Sequence, residues 1–391
     1  MEDGAAEPIA TDPIAAEPRP FRRRIWRLPR ISFGPTLFFA YIGVALAIFA
    51  FYVPPFQKSD ELAHFYRAVS LTNLDLVCKT DADGNRYYPM KQKYAAVESV
   101  FHVWDVALQY NKKFDNSWLN ARFTDPSYQQ EVRVDHPCDF SPLGYAPSSA
   151  GVLLGKPFES PLASLYLGRL AGALFFLGGV IVALKVTPER YRPLVYLYAA
   201  LPSVLHQVTT ISYDAVHLSL LPPVFAYFTR FLAGERPIKR WDLAVFLALT
   251  AWLVNVRLVA FMPLILLFFV IEPSRISELR SRYLTIAGAF VGSAVALMLA
   301  LSLLYYPQDT AFTDVGTYDS FDQLEYLLKG PWRFPAVVYD TLRLKLELLL
   351  GQGVAGFGWQ DYGLDYFTYY IFLFAAFGVL IRTVLQPPLK L

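Results

Sequence analysis

Residues 33–53 run without a single charge, and they are the first of several such blocks in the chain. A helix needs about 20 apolar residues to cross ~30 Å of hydrocarbon. Further apolar runs lie at about 161–184, 193–206, 215–232, 242–254, 258–271, 283–306 and 366–381. With 55% hydrophobic and 17% charged residues arranged in blocks, the chain is too apolar for a water-soluble protein. Backbone polar groups within a bilayer must be satisfied inside each span, so helices are the default. The expected fold class is an all-α polytopic membrane protein with about eight membrane segments and a large outer loop after the first.

Charge placement orients these segments. Arg22, Arg23, Arg24, Arg27 and Arg30 precede the first run. The short loops 185–192, 233–241 and 272–282 also carry Lys or Arg, whereas 207–213 carries none. By the positive-inside rule the N-terminus is cytoplasmic and the two long polar segments, 54–160 and 307–365, share the opposite, periplasmic or extracellular face. This orientation requires the short runs 242–254 and 258–271, broken at Asn255 and Arg257, to count as two segments. At 13 to 14 residues each they are short for spans, which suggests a broken or re-entrant pair. The first run is too long for a signal-peptide core and ends in Pro54-Pro55, so an uncleaved helix is expected. Residues 1–31 read as a disordered basic tail, and 32–391 as the membrane domain. An amphipathic stretch lies near 336–350. A net charge of +2 gives no basis for a nucleic-acid partner; the lipid bilayer is the expected one.

Cys78 and Cys138, the only cysteines, both fall in the first polar segment. On an oxidising face a structural disulfide between them is the natural reading. It would close a loop of about 60 residues, worth on the order of 4 kcal/mol by loop entropy.

The densest chemistry follows the first run, in Lys-Ser-Asp-Glu-Leu-Ala-His-Phe-Tyr-Arg (58–67). Carboxylates beside a bilayer are costly and point to a site. Were this stretch helical from Asp60, then Asp60, His64 and Arg67 would share one face while Glu61 pointed about 100° away. A positioned carboxylate serves as a general base toward a hydroxyl, or holds a divalent cation such as Mg or Mn. The plainer reading is a helix start, with Ser59 or Asp60 as N-cap and acid in the first turn. Asp-Glu-x-x-His lacks the second histidine of a zinc-protease helix, so that reading is set aside.

Other polar residues stand near the same face. Arg169, inside the 161–184 run, either snorkels to the surface or meets an anion. Asp214 lies between two runs, as an N-cap or a substrate contact, with His206 and His217 on either side. Arg257 sits at an interrupted membrane segment, where freed helix ends bind anions. In Gly-Phe-Gly-Trp-Gln-Asp (356–361), Trp359 offers a flat face for a sugar ring and Asp361 an acceptor for its hydroxyls. The alternative for these two is an interfacial aromatic belt.

The run Pro-Pro-Phe-Gln-Lys-Ser-Asp-Glu-Leu-Ala-His-Phe-Tyr-Arg-Ala (54–68) resembles the DUF2142 family of bacterial membrane proteins. Ser-Pro-Leu-Gly-Tyr-Ala-Pro (141–147), Leu-Gly-Arg-Leu (167–170), Leu-Pro-Ser-Val (201–204), Ser-Tyr-Asp-Ala (212–215) and Gly-Trp-Gln-Asp (358–361) match its pattern in order. The family looks like a branch of the GT-C glycosyltransferases. The resemblance implies an inner-membrane enzyme taking a sugar from a polyprenyl-phosphate donor to an outer-face glycan or lipid acceptor. It would act in cell-envelope polysaccharide biosynthesis. It makes Asp60 and Glu61 the catalytic candidates, and Arg67, Arg169 and Arg257 candidates for the donor phosphate. Compared members extend further beyond the Gly-Trp motif than this chain does. The rival reading is a non-enzymatic export, assembly or transport protein for polysaccharide.

Overall fold

The computed structural model describes residues 33–83, 85–109, 112–135, 141–233, 238–256, 325–326, 328–330, 332–358 and 362–385. The N-terminal tail, the runs 258–271 and 283–306, and residues 307–324 of the second polar segment lie outside the described residues.

The first apolar run forms α1 (Phe33–Ala47) and continues as a π-helical turn, Ile48–Tyr52. Val53 then turns extended (φ −68°, ψ 122°), as a residue before proline must, and Pro54-Pro55 end the helix. Gly34–Tyr52 is one of three described helices long and apolar enough to cross a membrane. The others are α7 (Pro161–Val186) and α10 (Tyr213–Ala233). Two shorter apolar helices, within α11 (Arg240–Val256) and α13 (Tyr366–Leu385), accompany them. The expected span at 193–206 is instead two short helices, α8 (Arg192–Ala200) and α9 (Pro202–Val208). Pro202 bars Leu201 from helical geometry, and Leu201 takes φ −64°, ψ 124°. The amphipathic stretch near 336–350 lies inside α12 (Arg333–Ala355), which leads into the two-stranded pair β4 (Gly356–Phe357) and β5 (Tyr362–Gly363).

The first polar segment is a folded layer. It holds α2 (Glu61–Thr72), three short helices α3 (Gln92–Ala95), α4 (Val97–Val100) and α5 (Val103–Leu108), and α6 (Ala146–Gly155). An antiparallel sheet runs in the order β1 (Lys79–Thr80), β2 (Arg86–Lys91), β3 (Glu131–Val134), with Tyr88 opposite Val134. Its core joins Phe56, Phe65, Tyr88, Phe101 and Tyr145 to Leu165 of α7 and Ile211 before α10. Cys78 is disulfide-bonded; Cys138, the other cysteine, lies outside the described residues.

Helix α10 carries Pro222 and Pro223 in its interior. Each lacks the N–H that would bond the carbonyl four residues back, which frees those of Leu218 and Ser219. Tyr198 donates its hydroxyl to the Leu218 carbonyl at 2.9 Å. The Ser219 carbonyl abuts α7 at Gly179, where a Cβ would lie 2.5 Å from that oxygen. Gly179 is therefore what lets α7 approach the proline-bearing helix, a small-residue contact of the kind that packs membrane helices. Gly179→Leu is expected to cost at least 1–3 kcal/mol by overpacking, read as a lower melting temperature in detergent. A variant as stable as the parent would refute this account of the contact.

Candidate functional site

The loop 53–61 is fastened from below by two buried cations. Arg169 and Glu61 form a fully buried pair, both side chains at 0% exposure. Arg169 Nε donates to Glu61 Oε1 at 2.8 Å and Nη2 to Glu61 Oε2. Its remaining N–H groups reach the carbonyls of Ala50 (3.1 Å), Val53 (2.7 Å) and Pro54 (3.1 Å). All five guanidinium donors are thus used on the end of the first span and the head of α2. Glu61 also accepts from the backbone N–H of Phe56 (3.2 Å) and Ile211 (3.4 Å). The second cation is Lys58, 0% exposed, which donates to Thr209 O and Oγ1, both at 2.7 Å, and to His206 O at 3.3 Å. Burial, followed by the charge of Arg169, holds its ammonium well below the usual lysine pKa, while Glu61 opposes the shift.

Above these anchors the chain bends sharply. Phe56 (φ 59°) and Asp60 (φ 57°) both take left-handed backbone conformations. A bulky residue such as Phe rarely adopts that region, and such conformations persist where surrounding contacts over-determine them. The helix begins at Glu61, so Asp60 is its N-cap and makes no side-chain cap bond. Its carboxylate is exposed and receives the Ser59 hydroxyl at 3.3 Å. The expected stripe of Asp60, His64 and Arg67 along one helix face therefore does not form, because Asp60 precedes the first helical residue. The expected roles also divide: Glu61 is sealed in a structural pair, and Asp60 alone of the two acids faces outward.

Stretches far apart in sequence meet around this segment. Arg169 comes from Leu-Gly-Arg-Leu. Gly358, which opens Gly-Trp-Gln-Asp, has φ 62° and accepts the Ser59 N–H at 3.1 Å. Ser203 of Leu-Pro-Ser-Val donates to the Gly353 carbonyl at 2.5 Å. His64 shares a 2.7 Å hydrogen bond with the Tyr145 hydroxyl and meets the Tyr213 ring edge-on, centroids 5.1 Å apart. Beside Tyr213, Asp214 Oδ1 stands 3.0 Å from His217 Nδ1, one helical turn apart. His206 is 1% exposed between the rings of Phe49 and Phe357, and neither of its ring nitrogens has a hydrogen-bond partner among the described residues.

Arg67 is turned to another task. It is 1% exposed, donates to the carbonyls of Asp75 (3.1 Å) and Leu76 (2.7 Å), and lies 5.3 Å from the Tyr88 ring centroid. It closes the C-terminal end of α2. Arg257, Trp359 and Asp361 lie outside the described residues. Among the described residues no three His, Cys, Asp or Glu side chains converge as a metal site.

Sequence reasoning missed Lys58 and Tyr145 as parts of this site. Lys58 had a legible signal, a lysine two residues before the acids in the same short motif. Tyr145 had none beyond its place in Ser-Pro-Leu-Gly-Tyr. The chain matches no curated protein and no solved structure. A family model described as a predicted membrane protein matches residues 44–386, nearly the whole of the helical core and its polar layer. The chain belongs to the DUF2142 family of predicted membrane proteins.

Proposed function

We propose that this protein is a membrane glycosyltransferase-like enzyme that moves a sugar from a polyprenyl-phosphate donor to a glycan or lipid acceptor on the outer face. Asp60 acts as general base. It takes the proton of the acceptor hydroxyl as the acceptor oxygen bonds to the anomeric carbon. The bond from that carbon to the phosphate oxygen breaks, and the lipid phosphate leaves with the electron pair. Configuration inverts in this single displacement. Glu61, Arg169 and Lys58 are positioning residues that fix the backbone from which Asp60 projects.

One observation carries this reading. Asp60 is an exposed carboxylate on a left-handed N-cap, held by a buried ion pair and a buried lysine at the end of the first span. A rigid support of this kind is what a positioned base requires. Asp214, whose side chain is part-exposed, extends the proposed substrate surface, and the buried His64–Tyr145 hydrogen bond is a positioning contact behind it. A divalent cation would supply charge neutralisation to the leaving lipid phosphate; of the two acids only Asp60 is exposed to reach one.

The test is turnover. Purified protein in nanodiscs is incubated with radiolabelled polyprenyl-phosphate sugar and an acceptor oligosaccharide, with and without Mg or Mn. A new glycosidic linkage supports the enzyme. Donor binding with no product would instead support the transport or assembly role.

A further inference from the structure

A concavity with several polar side chains lies in the first polar segment. It is an open cleft of about 400 Å3 between α4 and α5, lined by Glu98, Ser99, His102, Trp104 and Asp105. That volume is within the usual range of small-molecule sites. Trp104 is 39% exposed, and its indole N–H donates to Glu98 Oε1 at 2.7 Å, which fixes the ring in place. His102 packs tilted at 35° against Trp118 with centroids 4.7 Å apart, and its Nδ1 lies 3.3 Å from Asp105 Oδ2. Lys112 donates to the same Asp105 oxygen at 2.8 Å. The hydrogen bonds from Lys112 and then His102 hold the Asp105 carboxyl below its ordinary pKa, so it is ionised at neutral pH.

We propose that this cleft binds an uncharged pyranose unit of the acceptor glycan. A pyranose presents an apolar C–H face and a rim of hydroxyls. The immobilised Trp104 ring suits the face, and two carboxylates with an imidazole suit the rim. Two carboxylates against one lysine leave the cleft net negative, which disfavours phosphate, sulfate and uronic acids.

The cleft is also joined to the Asp60 loop. Tyr66 of α2 donates its hydroxyl to the Ala95 carbonyl at 3.0 Å and to Glu98 Oε2 at 3.4 Å, both groups of cleft-lining residues. Tyr66 is six residues beyond Asp60, about 9 Å along the axis at 1.5 Å per residue. The helix that Asp60 caps is therefore tied through Tyr66 to the wall of the cleft. That the bound glycan is the acceptor rests on the transferase reading; binding in the cleft does not.

Saturation-transfer NMR tests it, using the full chain in nanodiscs with maltotriose, cellotriose, mannotriose and trigalacturonic acid as probes. At least one neutral trisaccharide is expected to bind and the uronic trimer is not. Trp104→Ala and Glu98→Gln should each weaken binding at least tenfold with unchanged circular dichroism. If no neutral trisaccharide binds, or both cleft variants bind as tightly as the parent, or the uronic trimer binds equally well, the proposal is overturned. Saccharide binding without any transfer product would remove the transferase reading and leave the cleft assignment intact.

Discussion

Asp60→Asn is expected to fold as the parent does and to lose transfer activity by roughly 10²–10⁴-fold, the usual contribution of a positioned general base. Asparagine is the right replacement because it tolerates the left-handed backbone at φ 57°. It also keeps an oxygen for the Ser59 hydroxyl, the side-chain partner of Asp60 among the described residues. Stability should move by no more than about 0.5 kcal/mol, as at other exposed positions. Alanine would be a poorer test, since it adds backbone strain to the loss of the carboxylate. The check is a pair of measurements: kcat for sugar transfer, and the melting temperature in the same detergent. A folded Asp60→Asn protein that transfers sugar at the parental rate removes Asp60 as the base.

Arg169→Met is expected to be the most damaging single change, costing about 3–5 kcal/mol, as when one partner of a buried ion pair is removed. It leaves the Glu61 carboxylate buried without its counter-ion and strips a donor from the Ala50, Val53 and Pro54 carbonyls. Arg169→Lys should rescue little, because an ammonium cannot reproduce the planar fork that spans Glu61 and three carbonyls. Glu61→Leu combined with Arg169→Met removes both charges, and elsewhere such swaps are often neutral. Here the rescue should be partial, since the three carbonyls remain unpaired. Thermal unfolding of the parent, Glu61→Leu, Arg169→Met and the double variant in one double-mutant cycle measures this. An Arg169→Met protein that melts with the parent would show that the pair does not hold the loop.

The membrane helices were legible because their signal is local. The run expected at 161–184 is α7 (Pro161–Val186), and that at 215–232 is α10 (Tyr213–Ala233). The run at 193–206 misled because apolar composition does not see a single proline, and Pro202 divides it. The helical-face expectation at 60–67 failed for a similarly local reason: one residue in a left-handed conformation shifts where the 3.6-residue period begins. Which of the two acids is buried depends on Arg169, 108 residues away from Glu61, and no spacing rule carries that. The cleft near Trp104 was illegible because α4 and α5 are helices of four and six residues, too short to print a period.

The core of the polar layer has a practical corollary. Because Leu165 and Ile211 are buried in it with Phe56 and Tyr145, the layer is not autonomous. Excising residues 54–160 for soluble expression would cut away two of its own interior side chains and bare the greasy patch they cover. Such a fragment should aggregate, whereas one retaining both flanking helices in a detergent micelle should not.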